Sequence, residues 1–309
     1  MPGAVSAGWF RWIVPLAAVV LVAGCRSPIL TVDDAIVGAD GKVRLIAYVE
    51  QEPILGIRRD VRDVRVHFSV NGREVGSDKT DDNGRATEKC RIDAGVGTFD
   101  AEAVVHHKTL RARGRVFRWD DRRVAIAVDV DHTLERTDYQ DLLLDDDDDS
   151  NPVKRSAKTL RSLADGFHIL YLTARPRFLL DKTREWLDEE GFPPGPVVAA
   201  KGMRQTLRPG EFKRRSLHAL RKDWPSVLIG VGDQPGDARA YGANDMLSLM
   251  LGRASDRRFG PHSLVFRGWK ELSRFLVANQ ETLADPDDLS DAIDGKVMLR
   301  QPVQPYDQH

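Results

Sequence analysis

The chain has 309 residues, 41% of them hydrophobic, enough to bury an ordinary core and to form roughly two domains. Its 46 Lys and Arg stand against 47 Asp and Glu, a formal net charge of −1, so no global basic field exists to hold nucleic acid. That balance argues against nucleic-acid binding, and the hydrophobic fraction argues against a disordered chain.

Near the N-terminus Arg11 precedes an apolar run from Trp12 to Gly24 that ends at Cys25. The run is too short to span a bilayer, which takes about 20 apolar residues, but it suits the hydrophobic region of a signal peptide. Val22-Ala23-Gly24-Cys25 resembles the lipobox of bacterial lipoproteins. That resemblance implies a signal peptide over residues 1–25, acylation of Cys25, and an exported protein anchored by lipid in the bacterial cell envelope. Cys90 then lacks a disulfide partner and reads as a small core residue.

Residues 30–119 read as all-β. Val64, Val66, Phe68 and Val70 alternate with polar residues, Asn71-Gly72 and Asp82-Asn83-Gly84 are turn signals, and Phe99, Ala101, Ala103 and Val105 repeat the period of two. This spacing predicts a small β-sandwich resembling immunoglobulin-like or transthyretin-like modules.

From Arg123 the pattern changes. Short apolar runs at Val124–Val128, His168–Leu172, Pro196–Ala200 and Val227–Val231 alternate with helical stretches, the arrangement of a doubly wound α/β domain with a parallel sheet. Helical spacing marks Val153, Ala157, Leu160, Leu163 and Ala164; then Leu179, Thr183, Trp186 and Leu187; and finally Trp269, Leu272, Phe275 and Leu276. This domain is placed at residues 123–283. Residues 284–309 are polar and read as a disordered tail.

Polar clusters stand where these apolar runs end, which is where open parallel sheets bind ligands. They are Asp129-Val-Asp131-His132-Thr133, then Thr173-Ala-Arg175, then Phe212-Lys213 at the opening of a helix, then Gly232-Asp233-Gln-Pro-Gly-Asp237. Residues two apart in an extended chain point the same way, so Asp129 and Asp131 can face one ligand. In order and spacing the set resembles the haloacid dehalogenase superfamily.

The resemblance implies a phosphohydrolase with Asp129 as nucleophile and Asp131 as acid/base, and with Thr173 and Lys213 on the phosphate oxygens. It also implies Mg²⁺ held by Asp129, the backbone carbonyl of Asp131 and Asp233, with Asp237 as ligand or support. His132 reads as a spacer. A closer resemblance rests on Ile169-Leu-Tyr-Leu-Thr-Ala-Arg-Pro, Thr183-Arg-Glu-Trp-Leu, Gly191-Phe-Pro-Pro-Gly-Pro-Val-Val and Asp233 to Tyr241. These segments are similar to the catalytic domain of lipins and fungal-type phosphatidate phosphatases, although lipins usually carry Gly where this chain has His132.

The intervals Thr133–Val153 and Thr173–Lys213 leave no room for a cap domain, so the site is expected to be open. The implied substrate is phosphatidate or a similar membrane phospholipid. The alternatives are a soluble periplasmic phosphomonoester, or non-catalytic phosphatidate binding as in lipin-like domains of lipid-transfer proteins. The acidic run Asp145 to Asp149 reads as a solvated loop.

Overall fold

The computed structural model describes residues 27–54, 57–120, 122–135, 153, 155–253 and 257–300. The apolar run ending at Cys25, expected to be a signal peptide, the acidic run Asp145 to Asp149 and residues 301–309 lie outside the described residues. The chain forms a β-rich N-terminal region followed by an α/β region built on a parallel sheet.

The N-terminal region contains β1 (Pro28–Val32), β2 (Ala35–Val37), β3 (Lys42–Ile54), β4 (Ile57–Asp60), β5 (Arg65–Val70), β6 (Arg73–Lys79), β7 (Arg85–Arg91), β8 (Thr98–Val105) and β9 (Lys108–Arg118). Alternation decides its packing. Val66, Phe68 and Val70 on β5, with Phe99, Ala101, Ala103 and Val105 on β8, turn inward and share a core with Leu45 and Val49 of β3. Strand β3 pairs with β1, β4 and β7 in one sheet, and the other sheet runs β2-β9-β8-β5-β6. Between β5 and β6, Asn71 and Gly72 have φ of 51° and 74°, the left-handed pair that a two-residue hairpin turn requires. Cys90 packs half-buried against this core.

The α/β region contains β10 (Ala125–Asp129), α1 (Ser156–Leu163), β11 (His168–Pro176), a 3₁₀ turn Arg177–Leu179, α2 (Leu180–Glu189), β12 (Val197–Ala200), α3 (Met203–Thr206) and α4 (Pro209–Arg221). It continues through β13 (Val227–Gly232), α5 (Pro235–Gly242), β14 (Leu247–Leu251), β15 (Ser263–Phe266), α6 (Trp269–Ala278), α7 (Gln280–Ala284) and α8 (Pro286–Ile293). The sheet order is β12-β11-β10-β13-β14-β15, parallel throughout. Every residue of β10 and β13 is buried, which is why these strands read as unbroken apolar runs.

One face of the sheet is covered by α1, α2 and α6 through Leu160, Trp186, Trp269 and Leu272. The other packs against Phe212 and Leu217 of α4 and Ala238 and Tyr241 of α5. That second face also takes Ile36, Phe117 and Trp119 from the β-rich region. At the connection, the Trp119 ring stacks on His168 with centroids 5.0 Å apart, and the Asp120 N–H donates to His168 Nε2 at 2.9 Å.

The expectation of a disordered tail from residue 284 is corrected. Helix α8 is capped by Asp285, whose carboxylate accepts from the N–H groups of Asp287 and Asp288. Leu289 is buried, and Ile293 and Leu299 pack against the main core. The Asn279 side chain donates to the Arg300 carbonyl at 3.0 Å and accepts its N–H at 2.7 Å. A few apolar residues suffice here because Asp-Pro starts the helix and an existing core receives it.

Candidate active site

The strand order places the chain reversal between β10 and β13, the position at which doubly wound sheets open a crevice beyond their strand ends. Asp129 is the last residue of β10 and Asp233 immediately follows β13. Strand pairing therefore brings together two carboxylates that lie about a hundred residues apart in sequence. Asp237 joins them from the first turn of α5, where its Oδ2 accepts the Gln234 N–H at 3.1 Å, as in a capping box.

That helix sits tight against β13 only because the strand carries glycines. A Cβ at Gly230 would lie 2.4 Å from the Tyr241 ring, and one at Gly232 would lie 2.7 Å from the Asp237 Cβ. The Tyr241 hydroxyl donates to the Val231 carbonyl at 2.9 Å and locks the same contact.

One carboxylate oxygen from each of Asp129, Asp233 and Asp237 lies within 4.8 Å of the others. Lys213, buried in the first turns of α4, places its Nζ 2.6 Å from Asp129 Oδ1 and 2.6 Å from Asp237 Oδ1. Asp129 Oδ1 is buried without a well-aligned hydrogen bond despite that ammonium. Thr133 Oγ1 lies 3.0 Å from Asp233 Oδ1 and 3.3 Å from Asp129 Oδ2, so its single proton can serve either. Gln234 Nε2 donates to Asp233 Oδ2 at 2.7 Å.

Burial raises the Asp129 carboxyl well above its usual range; Lys213 opposes this, and the charges of Asp237 and Asp131 add to it. Asp233 is raised by burial and by Asp237. Lys213 is pushed upward despite its burial, because Asp129 and Asp237 favour the ammonium. The group is short of positive charge.

Three oxygen donors around one ammonium suit a hard cation such as Mg²⁺, and a second cation would hold Asp129 ionised. Of the three, Asp233 is the freest to turn toward a cation, since Asp129 and Asp237 share the Lys213 ammonium. The partners of Asp237, an ammonium and a backbone N–H, are fixed, whereas Asp233 is met by a hydroxyl and an amide that can turn away. Asp237 then supports Lys213 and the turn.

Asp131 is not part of the three-carboxylate group. Its Oδ2 accepts from Thr173 Oγ1 and its Oδ1 from Arg175 Nε, each at 2.7 Å. Arg175 is itself buried between Asp131 and Glu135, and its N–H donates to Thr173 Oγ1 at 3.0 Å. Burial acts to raise the Asp131 carboxyl, but the Arg175 charge and the hydrogen bonds from Thr173 and Arg175 win and hold it below its usual value. Thr173, expected on a phosphate oxygen, thus holds the acid/base candidate, and Lys213 bridges two aspartates.

His132 has φ of 61°, a left-handed backbone in which glycine is the unstrained residue. That accounts for the glycine usual at this place in the similar family. Arg175, Glu135, Thr133 and Gln234 join the site without a role legible in the sequence. The first stood within the Thr173 cluster, but its two partners come from the loop after β10, which only strand pairing brings near.

Residues 124–246 match the family model described as PITM 1-3, LNS2 domain. No curated protein matches the chain. Among solved structures, a cobalt-bound deoxy-D-mannose-octulosonate 8-phosphate phosphatase from Haemophilus influenzae is 16% identical with a TM-score of 0.34, over 57% of this chain and 90% of that one. The M1 domain from titin is 15% identical with a TM-score of 0.23, over 31% of this chain and 95% of its own. A human B7-H4 IgV-like domain is 10% identical with a TM-score of 0.22, over 29% and 96%. Structural likenesses this low leave the architecture to rest on the topology above. The LNS2 match supports a phosphatase-like domain of the haloacid dehalogenase class.

Proposed function

We propose that the α/β region is a Mg²⁺-dependent phosphomonoester hydrolase acting through an aspartyl-phosphate on Asp129. We further propose that its substrate is phosphatidate or a similar lipid phosphate, met at a membrane to which acylated Cys25 anchors the chain. The observation that carries the reading is the convergence of Asp129, Asp233 and Asp237 around Lys213, with Asp131 held beside them by Thr173 and Arg175.

Asp129 Oδ attacks phosphorus as the bond to the leaving oxygen breaks, and Asp131 gives that oxygen a proton. Asp131 is held ionised in the free protein, the form that acts as base. A negatively charged phosphate beside it raises its proton affinity, so Asp131 takes a proton from solvent as the substrate binds and holds it for the acid step. In the second step Asp131 takes a proton from water, the water oxygen bonds to phosphorus, and the bond to Asp129 breaks to release phosphate. Mg²⁺, when bound by Asp129 and Asp233, supplies charge that offsets the phosphoryl oxygens. Lys213 keeps Asp129 oriented and lowers repulsion toward the incoming anion.

The lipid assignment draws on the similarity to lipin-type domains and on the short connection between β11 and α4, which carries only α2, β12 and α3 beyond a 3₁₀ turn. A lipid anchor would raise the effective concentration of headgroup substrate. The test is Mg²⁺-dependent phosphate release from phosphatidate in micelles, run beside sugar and nucleotide phosphates. Faster turnover of soluble esters would favour the periplasmic alternative. Phosphatidate binding without release of phosphate from any ester would replace hydrolysis with binding alone.

A further inference from the structure

The β-rich region reaches the catalytic edge of the parallel sheet through two adjacent acids, Asp33 and Asp34, between β1 and β2. Asp33 Oδ1 accepts from Arg177 Nε at 3.1 Å, and Asp33 Oδ2 accepts from the Tyr48 hydroxyl at 3.1 Å. The guanidinium carbon of Arg177 stands 3.5 Å from the centroid of the Tyr48 ring. Arg177 belongs to the turn after β11, yet its side chain is only 5% exposed. The α/β region has inserted this cation into its neighbour.

Arg177 lies two residues beyond Arg175, which grips Asp131 and Glu135. Pro176 between them has φ −60° and ψ 144°; its ring fixes φ and it has no N–H, so the link has little slack. Losing the Asp33 carboxylate would take from buried Arg177 its strongest opposing charge and a hydrogen-bond acceptor, leaving it Tyr48 and the charge of Glu50, and the side chain would shift or admit water. Movement there displaces Arg175 and, through it, Asp131. Asp34 makes a different anchor. It accepts from Arg184 Nη2 of α2 at 2.6 Å and from the Val197 N–H of β12 at 2.8 Å, so its polar contacts run to α2 and β12 and not to the 173–177 segment.

We infer that Asp33 is a positioning residue of the active site: by holding Arg177 it fixes the segment whose Thr173 and Arg175 grip Asp131, so the β-rich region completes the site. The inference rests on the assignment of Asp131 as acid/base.

The test uses the full chain as wild type, Asp33→Ala, Asp33→Asn and Asp34→Asn. Each is assayed for kcat and KM with Mg²⁺ on phosphatidate micelles and p-nitrophenyl phosphate, for thermal midpoint, and for amide hydrogen exchange. Asp33→Ala should lower kcat by about 10- to 100-fold, the loss expected of a catalytic group misplaced by up to about 1 Å, with KM within about twofold. Asp33→Asn should lose less, because its amide oxygen can still accept from Arg177, and it carries the test if the alanine variant does not fold. Asp34→Asn should lower the thermal midpoint but hold kcat within about twofold of wild type. Exchange over residues 173–177 should quicken in the Asp33 variants and not in Asp34→Asn. Unchanged kcat in both Asp33 variants, or equal kcat loss in Asp34→Asn, overturns the inference. If wild type releases no phosphate, the hydrolase reading fails by itself, and the exchange pattern still decides whether Asp33 fixes the segment.

Discussion

The indole N–H of Trp269 donates to the carbonyl of Thr133 at 2.9 Å, with both groups buried. Helix α6 thereby pins, from outside the site, the loop whose threonine hydroxyl sits between Asp129 and Asp233. Trp269→Phe keeps much of the ring but strands a buried carbonyl, a loss of about 1–3 kcal/mol. Urea unfolding should show that loss, and Mg²⁺-dependent turnover should fall with it. Wild-type values for both would show that the bond does not hold the loop.

Lys213 is the ammonium shared by Asp129 and Asp237. Lys213→Met leaves those carboxylates buried together without it, and breaking such a pair costs about 3–5 kcal/mol. Unfolding in a chelator should reveal the full loss. Added Mg²⁺ should restore part of it by binding the folded state only. Absence of any Mg²⁺ effect on either wild type or variant would count against a cation among the three aspartates.

Asp129 and Asp131 should separate by metal affinity. Asp129→Asn removes both nucleophile and ligand, so phosphate release should vanish and Mg²⁺ affinity, followed by calorimetry, should weaken. Asp131→Asn should retain Mg²⁺ binding, since its carboxylate lies on Arg175 and Thr173, while the rate falls by about 10²–10⁴-fold. Equal loss of metal affinity in both variants would contradict the division of roles.

Acid should weaken the connection between the two regions. Burial depresses His168 to about 4 from 6.5, outweighing its hydrogen bond to Asp120. The folded form therefore favours neutral imidazole, and the unfolded chain binds the proton more readily. The contribution is complete above about pH 6.5 and is lost as pH falls toward 4. The stability difference between wild type and His168→Gln should shrink across that window in urea titrations. A difference that stays constant with pH would show that His168 is not held neutral.

Much of the architecture is legible because it depends on local patterning. The alternation of Val66, Phe68 and Val70 appears in β5, the apolar run at Val124–Val128 leads into β10, and that at Val227–Val231 lies in β13. Local pattern does not mark strands β14 and β15, since Leu247–Leu251 and Ser263–Phe266 are short runs whose state is set by parallel pairing with β13 and with each other. Helix α8 is hidden in the sequence by its polar composition, which masks a capped turn with one buried leucine.

Residue order alone marks the chemical groups that gather beyond the strand ends: the carboxylates of Asp129, Asp131, Asp233 and Asp237, with Thr173 and Lys213. Period-two geometry and the rule that parallel sheets bind ligands at their carboxyl edge are local enough to be read from residue order. What each group touches is set by how the folded chain packs. Lys213 bridges Asp129 and Asp237, Thr173 and Arg175 hold Asp131, and Asp33 of the β-rich region holds Arg177. Those partners lie up to 144 residues apart. The charge of a buried group is set by the residues packed around it, so the placement of the site's protons belongs to the folded molecule.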